Sequence, residues 1–454
     1  MLRSLLLLGV TATSALADTP LPTPNPIYDG GDYSKQLASV PNGVLYEVAA
    51  PDAQPLKVMH VFGSARERGY AHGQLLSADI VDFVVNELDD YYRSEVTQIP
   101  VASLPKWLQG LVKKLEPMLE KAAPTVFNAA LGWVWSQQVK YINASQTRVL
   151  DEMAGIVDGV CAPANHTVPE MCDNKAKMLR TMYNVNMLPE LVQMQCSMMG
   201  AWGDATPDGK LTQMRTLDFG GGPFADRSIL VVHHPSDTDH EFAALSFPGF
   251  VGIVTGFSKY LAQSEKVDDV TGGKRPKGSY DGQAVSMVIR DMVQLAKTKE
   301  EAVSIAVAAK RTWSVWLGLG DFHSQEFTAM LYDQAAAVPY DDTTLPALTN
   351  QTAFKHVAYI DKHPQPSPHP DMPALVQEYY GKLDAKTVAQ NFPRGMQSGD
   401  VHVAVYDFSK SEVMFSFGTT DGPTGNYTRK ACNAPFIRFG MDALWNEKKP
   451  ALFI

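Results

Sequence analysis

The chain has 454 residues, of which 45% are hydrophobic and 19% charged, and its formal net charge is −10. These values are typical of a globular chain with a sizeable core, organised as one large domain or two, and they exclude a disordered one. The negative charge and the lack of clustered Lys and Arg argue against a nucleic-acid partner.

The first residues, MLRSLLLLGVTATSALADTP, have the three parts of a secretory signal peptide. Arg3 supplies the positive start, an apolar run follows, and Ala15-Leu16-Ala17 supplies a small-residue cleavage site. We therefore expect residues 1–17 to be removed, so that the mature chain begins at Asp18. No later stretch of about 18 apolar residues follows, and we expect no transmembrane segment.

Four Asn-x-Ser/Thr triplets are consistent with the secretory route, because this triplet is the N-glycosylation acceptor. We predict a glycoprotein that is secreted or resides in the lysosomal or vacuolar lumen. The predicted acceptors are Asn143, Asn165, Asn350 and Asn426.

Helical patterns dominate the first part of the chain. Residues 18–45 are rich in Pro and Gly and resemble an extended arm, and short β-like runs follow in YEVAAPDAQPLKVMHVFGS. Residues 66–195 then carry apolar residues at helical spacing almost throughout, as in LPKWLQGLVKKLEPMLEKAA. We expect this segment, residues 18–195, to be mostly helical.

The four cysteines fall into two groups. Cys161 and Cys172 are close together in a Pro-containing loop, and in a secreted chain they are the natural disulfide. Cys196 and Cys432 remain. They either pair with each other or stay free, which is unusual in an oxidising compartment.

The pattern changes to short strands at Cys196. CSMMGAWGDA and KLTQMRTLDF are strand-like and separated by TPDG, a strong turn signal. Further strands follow, residues 282–310 return to helix with a break near Thr298, and VHVAVYDFSKSEVMFSFG is a late hairpin. A sheet, a helix pair and a second sheet predict two sheets covered by helices, an α+β fold.

The first hairpin brings chemistry-bearing residues together. With the turn at its tip, Met198 is expected to face Asp218 and Cys196 to face Gly220, in a register that can slip by two residues. Arg215 and Asp218 have opposite parity, so they share a face only if the strand bends, for which residues 220–222, three glycines, provide freedom.

This trio has a functional and a structural interpretation. A nearby Arg215 lowers the pKa of a thiol, and Asp218 can orient the Arg or a terminal amine. Cleavage between Gln195 and Cys196 would give Cys196 an α-amine with a pKa of about 7.7–8.0, suited to general-base work. The alternative is a buried apolar thiol, or a partner of Cys432, beside an ordinary cross-strand ion pair.

Two separated stretches resemble one family of enzymes. Residues 62–76, FGSARERGYAHGQLL, are similar to the Gly-rich helix start in the pro-segment of the acyl-coenzyme A:6-aminopenicillanic acid (isopenicillin-N) acyltransferase-like family, which belongs to the N-terminal-nucleophile (Ntn) hydrolases. CSMMGAWGDATPDGKLTQMRTLDF is similar to the family's nucleophile hairpin, in which the Cys is followed by Arg-x-x-Asp. Weaker similarity covers VTGFSKYLAQSEK and HVAVYDFSKSEVMFSFG.

The resemblance implies an αββα sandwich preceded by a helical pro-segment, with self-cleavage before the nucleophile. It implies a candidate α chain of residues 18–195 and a catalytic β chain of residues 196–454, joined as a heterodimer. Cys196 would be the nucleophile and, through its α-amine, the base. Arg215 and Asp218 would hold the amine and the substrate, and Ser258 would donate to the oxyanion.

The expected function is therefore a cysteine Ntn hydrolase or acyltransferase that cleaves or transfers an acyl group from a small-molecule or lipid amide through a Cys196 thioester. Two alternatives stay open: a phospholipase B-like or ceramidase-like lipid amidase of the same fold, and a secreted glycoprotein without catalysis. We expect no cofactor. HHPSDTDH, from His233 to His240, is more typical of a solvated turn than of a metal site, so no metal is expected.

Overall fold

The structure is a computed structural model of the chain. It describes residues 24–95, 104–115, 118–162, 172–191, 195–219, 223–238, 240–268, 279–362, 371–422 and 426–451. The predicted signal peptide at 1–17, the acceptor Asn165 and the glycines at 220–222 lie outside the described residues.

The strands of the described residues fall into three sheets. In chain order they are β1 (Ile27–Asp29), β2 (Ser34–Val40), β3 (Gly43–Val48), β4 (Leu56–Gly63), β5 (Gln195–Gly203), β6 (Gly209–Asp218), β7 (Ile229–Pro235), β8 (Phe242–Ser246), β9 (Thr255–Ser258), β10 (Leu261–Val267), β11 (Val315–Asp321), β12 (Glu326–Tyr332), β13 (Ala337–Tyr340), β14 (Val357–Ile360), β15 (His402–Asp407), β16 (Glu412–Phe417), β17 (Thr419–Thr420), β18 (Tyr427–Arg429) and β19 (Phe436–Gly440).

The helices lie mainly between β4 and β5 and between the later strands. They are α1 (Ala65–Leu75), α2 (Ser77–Ile80), a π-helical stretch (Val81–Glu87), α3 (Leu88–Glu95), α4 (Lys106–Leu115), α5 (Leu119–Ser145), α6 (Thr147–Val160), α7 (Lys175–Asn186), α8 (Leu188–Leu191), α9 (Pro223–Asp226), α10 (Val285–Leu295), α11 (Lys299–Ala308), α12 (Leu345–Thr349), α13 (Met372–Tyr379), α14 (Ala385–Met396) and α15 (Met441–Trp445), with short 3-10 turns at Gly30–Tyr33 and Ala431–Asn433.

Two large sheets form the centre of the molecule. The seven-stranded sheet has the order β1-β19-β16-β15-β6-β5-β14, and the ten-stranded sheet has the order β13-β12-β11-β10-β9-β8-β7-β4-β3-β2. Neighbouring strands are antiparallel except for the pairs β1–β19 and β4–β7. The Cys196 hairpin, β5–β6, therefore lies inside the seven-stranded sheet.

The apolar cores show how the layers stack. One core joins the facing sides of the two sheets, with Met198 and Phe415 from the first and Phe257 and Trp316 from the second. A second core packs α13 and α14 on the outer face of the seven-stranded sheet, and a third packs α10 and α11 on the outer face of the ten-stranded sheet. The order of layers is helix, sheet, sheet, helix, as the sequence analysis predicted.

The N-terminal segment is built into both sheets. β1 pairs with β19 at one edge of the seven-stranded sheet, and β4 pairs with β7 so that β2, β3 and β4 extend the ten-stranded sheet. The described part of the predicted arm, residues 24–45, is thus more than an extended arm. Helices dominate from α1 to α8, but the predicted boundary at residue 196 is no boundary of packing, because strands from both sides of it share each sheet.

Helices α1 and α6 cross at backbone contact. Gly73 of α1 faces Gly159 of α6, and a Cβ atom at Gly73 would overlap the Ile156 carbonyl oxygen. A capping box at the start of α1, formed by Ser64 and Glu67, fixes where the helix begins. The motif RERGYAHG therefore serves close helix packing here.

Two local predictions are confirmed, the helix break near Thr298 and the Cys161–Cys172 disulfide. The helical region at 282–310 breaks where expected, because the Thr298 side chain accepts a hydrogen bond from the Glu301 amide and begins a new helix. Cys161 and Cys172 form a disulfide. In the part of the chain that the structure describes, no helix is both long enough and apolar enough to span a membrane.

Candidate active site

Cys196 lies at the start of β5 and is fully buried. Its strand partner is Leu217 and not the predicted Gly220, and Met198 faces Arg215 and not Asp218. The predicted register is therefore wrong by three residues. The ladder closes at Gly203–Gly209, with an irregularity after Ala201, so the connecting segment is longer than a turn centred on PDG.

The thiol of Cys196 has one cation beside it. The Arg215 guanidinium donates to Sγ at 3.6 Å, and the Asp218 backbone amide also donates to it. Burial nevertheless raises the pKa of the thiol to about 12, because desolvation outweighs the attraction of Arg215, and the carboxylates of Glu265 and Asp218 raise it further. In the uncut chain the sulfur is therefore a protonated thiol.

Arg215 is held by residues that come from distant parts of the chain. Its guanidinium donates to His402 Nε2 at 3.1 Å and lies 3.5 Å from the Glu265 carboxylate. The Thr255 hydroxyl lies 2.9 Å from the same His402 nitrogen. Because burial and Arg215 lower the pKa of His402 well below its ordinary value, this ring is neutral and Nε2 accepts from both donors.

Glu265 balances the charge of Arg215 from the facing sheet. Its carboxyl group on β10 is buried, and burial raises its pKa to about 7 against the opposing pull of Arg215 and Lys266. The side chain thus changes charge near neutral pH while it lies beside Arg215. No local sequence pattern predicts Glu265, His402 or Thr255 as site residues.

Asp218 has a different set of partners from the one predicted. It ends β6 opposite Gln195, and its carboxylate contacts Lys362 Nζ at 2.6 Å, the Ser398 hydroxyl at 2.7 Å and the Gly399 amide at 2.9 Å. Arg215 is held by Glu265 and His402 instead, so the idea that Asp218 orients Arg215 is wrong. Cys196 Sγ contacts both residues, the Arg215 guanidinium and the Asp218 backbone amide.

Ser258 does not reach the trio. Its hydroxyl oxygen accepts from the backbone amides of Tyr260 and Leu261 at 3.2 and 3.3 Å, which closes the turn between β9 and β10. A hydroxyl with this role is a turn residue. The structure therefore places Ser258 in a hairpin and gives no support to its predicted role as an oxyanion donor.

Cys432 is the other free, buried thiol. Its backbone amide donates to the Gly399 carbonyl at 2.8 Å, and the Gly399 amide in turn donates to Asp218, so Cys432 is linked to that carboxylate through Gly399. A Cys196–Cys432 disulfide is not formed. Cys196 therefore keeps its thiol.

An apolar cavity lies beside the strand partner of Cys196. Leu217 lines it, and its other walls come from α8, from the segment around α9 and from the end of β8. The lining residues are Leu188, Pro189, Leu217, Phe219, Phe224, Leu245, Ser246, Phe247, Phe250, Gly252, Val254 and Ser286. Such a cavity suits an apolar group and offers few polar partners.

The three histidines of HHPSDTDH contact different residues and do not converge on one site. His233 stacks on Phe242, His234 lies 3.0 Å from His60, and His240 contacts the Val293 carbonyl at 3.1 Å. Among the described residues, no group of three or more His, Cys, Asp or Glu side chains is arranged to hold a metal ion.

These features define an α+β protein of four layers whose central hairpin carries a buried cysteine, an arginine and an aspartate. The chain belongs to the dcd1 protein family. It is 31% identical over 429 residues to protein dcd1B of Dictyostelium discoideum, covering 91% of this chain and 79% of that protein. Protein dcd1A of the same organism is 28% identical over 460 residues, covering 97% of each chain. No protein-family model matches the chain.

Solved structures that are weakly similar to this fold align with about half of the chain. An N-acylethanolamine-hydrolyzing acid amidase ortholog from Caenorhabditis elegans gives a TM-score of 0.33 at 18% identity, covering 47% of this chain and 93% of that one. Penicillin V acylase from Agrobacterium tumefaciens gives 0.31 at 13% identity, covering 49% and 83%. Likeness at this level is too weak to decide the fold, which rests on the layers and strand order of the chain itself.

Proposed function

We propose that this chain is an amide hydrolase or acyltransferase of the Ntn type, with Cys196 as its nucleophile. The observation that carries the proposal is the contact between the Arg215 guanidinium and Cys196 Sγ at the start of a central strand of an αββα sandwich. A cation beside a thiol favours the thiolate, which is the reactive form.

In the uncut chain Cys196 has no α-amine to act as base, and we propose that cleavage between Gln195 and Cys196 supplies it. The thiol sulfur attacks the Gln195 carbonyl carbon and the thiol proton passes to the peptide nitrogen. The C–N bond then breaks, which leaves a thioester and the free amine of Cys196. Water then hydrolyses the resulting thioester, which returns the thiol and gives Gln195 a carboxylate. In the strand ladder Asp218 pairs with Gln195 and Leu217 pairs with Cys196. Asp218 therefore lies on the strand next to the bond that is cut.

Turnover then follows two steps. The α-amine of Cys196 accepts the thiol proton, the thiolate attacks the amide carbonyl, and the amine of the substrate leaves with a proton from the α-ammonium. Water or an acceptor amine next attacks the thioester and regenerates Cys196. Arg215 keeps the site electropositive while negative charge develops on the carbonyl oxygen.

The apolar cavity favours one version of this function. Because its walls are aromatic and aliphatic and lie beside Leu217, the partner of Cys196, they suit a small apolar group next to the nucleophile. A lipid amidase, ceramidase-like or phospholipase B-like in its substrate, is our second candidate within the same chemistry, and its longer acyl chain requires this narrow cavity to widen.

We also propose that the protein matures in the secretory pathway and acts outside the cell or in a lysosomal or vacuolar lumen. The disulfide between Cys161 and Cys172 suits an oxidising compartment. Three of the predicted glycosylation acceptors, Asn143, Asn350 and Asn426, are exposed. Exposure is what a glycan needs, so these three sites support the route.

The test combines fragment analysis with activity. Wild type expressed through a secretory route should give two fragments on a denaturing gel, and the second should begin Cys-Ser-Met-Met. A panel of short- and long-chain acyl amides and esters should then show turnover. Cys196→Ala should abolish both cleavage and turnover, whereas Cys432→Ala, which removes the other buried thiol, should keep both.

Cys196→Ser sharpens the test, because a hydroxyl can still cleave the chain slowly but is a poorer nucleophile than a thiolate. We expect slow fragment formation and strongly reduced turnover. Equal rates for wild type and Cys196→Ala across the panel would reject the enzyme and favour a glycoprotein that binds without catalysis.

A further inference from the structure

Lys362 is a charged side chain beside the site that the proposed reaction does not use. It follows β14, and its Nζ lies 2.6 Å from Asp218 Oδ1, with the Lys side chain 13% and the Asp side chain 4% exposed. Its backbone amide donates to the Ser197 hydroxyl at 3.0 Å. Ser197 is the residue after the nucleophile, so Lys362 is tied to the strand that carries Cys196.

A buried set of hydroxyl groups fixes this arrangement. The Ser398 hydroxyl contacts those of Thr216 at 2.6 Å and Ser197 at 3.0 Å and also reaches Asp218. The Ser197 amide donates to the Thr216 hydroxyl at 2.9 Å. These hydrogen bonds hold Asp218 and the Lys362 backbone beside β5, next to the bond between Gln195 and Cys196.

We propose that Lys362 keeps the α-amine of Cys196 in its neutral form, once self-cleavage has released it, by balancing the charge of Asp218. The inference rests on the proposed function. A general base must be unprotonated to act, a carboxylate nearby favours the ammonium form, and a second cation disfavours it. Lys362 is thus a positioning residue that sets the charge state of the base.

The other charges around the site come in opposite pairs. Arg215 faces Glu265, and Asp400 contacts Lys430 at 2.9 Å. Because the pKa of Glu265 is raised to about 7, its charge changes near neutral pH, but it does so in wild type and in the Lys362 variants alike. The remaining titratable groups facing the site are uncharged near neutral pH, because burial holds their pKa values away from 7; they are His402, Tyr427 and Cys432. Removing Lys362 therefore leaves Asp218 as an unbalanced carboxylate beside the new amine.

The test is the pH dependence of kcat/KM for two variants. In Lys362→Met the acid limb should move to higher pH by about one unit, because a carboxylate without its cation favours the ammonium form of the base. Lys362→Arg keeps the cation and should keep the limb near its wild-type position. A Lys362→Met enzyme that is slower at every pH with the limb unmoved would show a merely structural residue and overturn the inference.

A second measurement on wild type does not depend on any variant folding. After the thiols are alkylated, competitive labelling with acetic anhydride reports the protonation of the amine on the fragment that begins at Cys196. Half-labelling should occur at or below the ordinary pKa of a terminal amine, about 7.7–8.0. A midpoint above that range would show an unbalanced carboxylate and overturn the inference. Failure of the proposed function is distinct: the chain then stays uncut, no such amine exists, and both proposals fall together.

Discussion

Burial and charge act on the Cys196 thiol in opposite directions. Arg215 favours the thiolate, but desolvation dominates and holds the pKa of the thiol at about 12 in the uncut chain. The same burial keeps the thiol away from other thiols and oxidants, which matters in an oxidising compartment. Cleavage would place a free α-amine and water next to the thiol, and both would reduce its desolvation. The chemistry of the residue is thus coupled to whether the chain is cut.

Ser258 gives a prediction that separates a turn residue from a catalytic one. Ser258→Ala removes the oxygen that accepts from the Tyr260 and Leu261 amides, and leaving buried amides unsatisfied should reduce the free energy of unfolding by about 1–3 kcal/mol. Turnover at saturating substrate should stay near wild type. Denaturant unfolding and initial rates check the two parts. A rate loss on the order of 10²-fold with unchanged stability would instead restore Ser258 as an oxyanion donor.

The predictable part of the site is the part that lies within one hairpin. Cys196, Arg215 and Asp218 could be identified because strand–turn–strand signals bring them together whatever the rest of the chain does. His402 lies 187 residues from Arg215 in the chain, and Lys362 lies 144 residues from Asp218. Only the order of the strands in the sheets places them beside the hairpin. A sequence without its fold offers no reason to connect such residues.

Among the elements, the hairpin shows why residue types are easier to predict than register. The strands and the turn were identified, but the ladder begins at Gly203–Gly209 and shifts after Ala201. A shift of three residues changes the face of each side chain, because side chains alternate along a strand. β2 was missed for another reason: it is an edge strand whose residues are mostly exposed, so it lacks an apolar pattern.

The crossing of α1 and α6 gives a prediction with a matched control. Gly73→Ala places a methyl group on the Ile156 carbonyl oxygen, where backbone has to move, and should lower the free energy of unfolding by about 3 kcal/mol or more. Gly110 in α4 has no atom near its missing side chain, so Gly110→Ala should raise stability by about 0.5–1 kcal/mol through helix propensity.

Urea unfolding of both glycine variants against wild type checks this pair of predictions. The two substitutions add the same methyl group, so a difference between them reports the local packing and not the residue type. Similar changes in stability for both variants would contradict the close crossing of the two helices.

At the level of the whole molecule, self-cleavage and folding use the same strands. The segment before residue 195 supplies β1 to one sheet and β2, β3 and β4 to the other, and Glu152 of α6 forms a buried ion pair with Arg290 of α10, 2.5 Å apart at its closest. The disulfide lies wholly within the first segment. A cut before Cys196 therefore leaves two fragments that share both sheets and a buried charge pair, with no disulfide between them.

We expect the two fragments to stay together in native buffer. Separation would expose strand edges in both sheets and leave Arg290 without its carboxylate partner Glu152, and breaking such a buried pair by removing one partner typically costs about 3–5 kcal/mol. Size-exclusion chromatography checks this: cut wild type should elute at the position of uncut Cys196→Ala, and the fragments should separate only after denaturation, without any reductant.

The association is noncovalent, so the two fragments have to reassociate when they are mixed after denaturation. We expect turnover to recover only in part, because β1 then pairs with β19 as a separate chain. Fragments that elute apart in native buffer would show that the strands before residue 195 are not needed to hold the sheets, and that the proposed heterodimer is wrong.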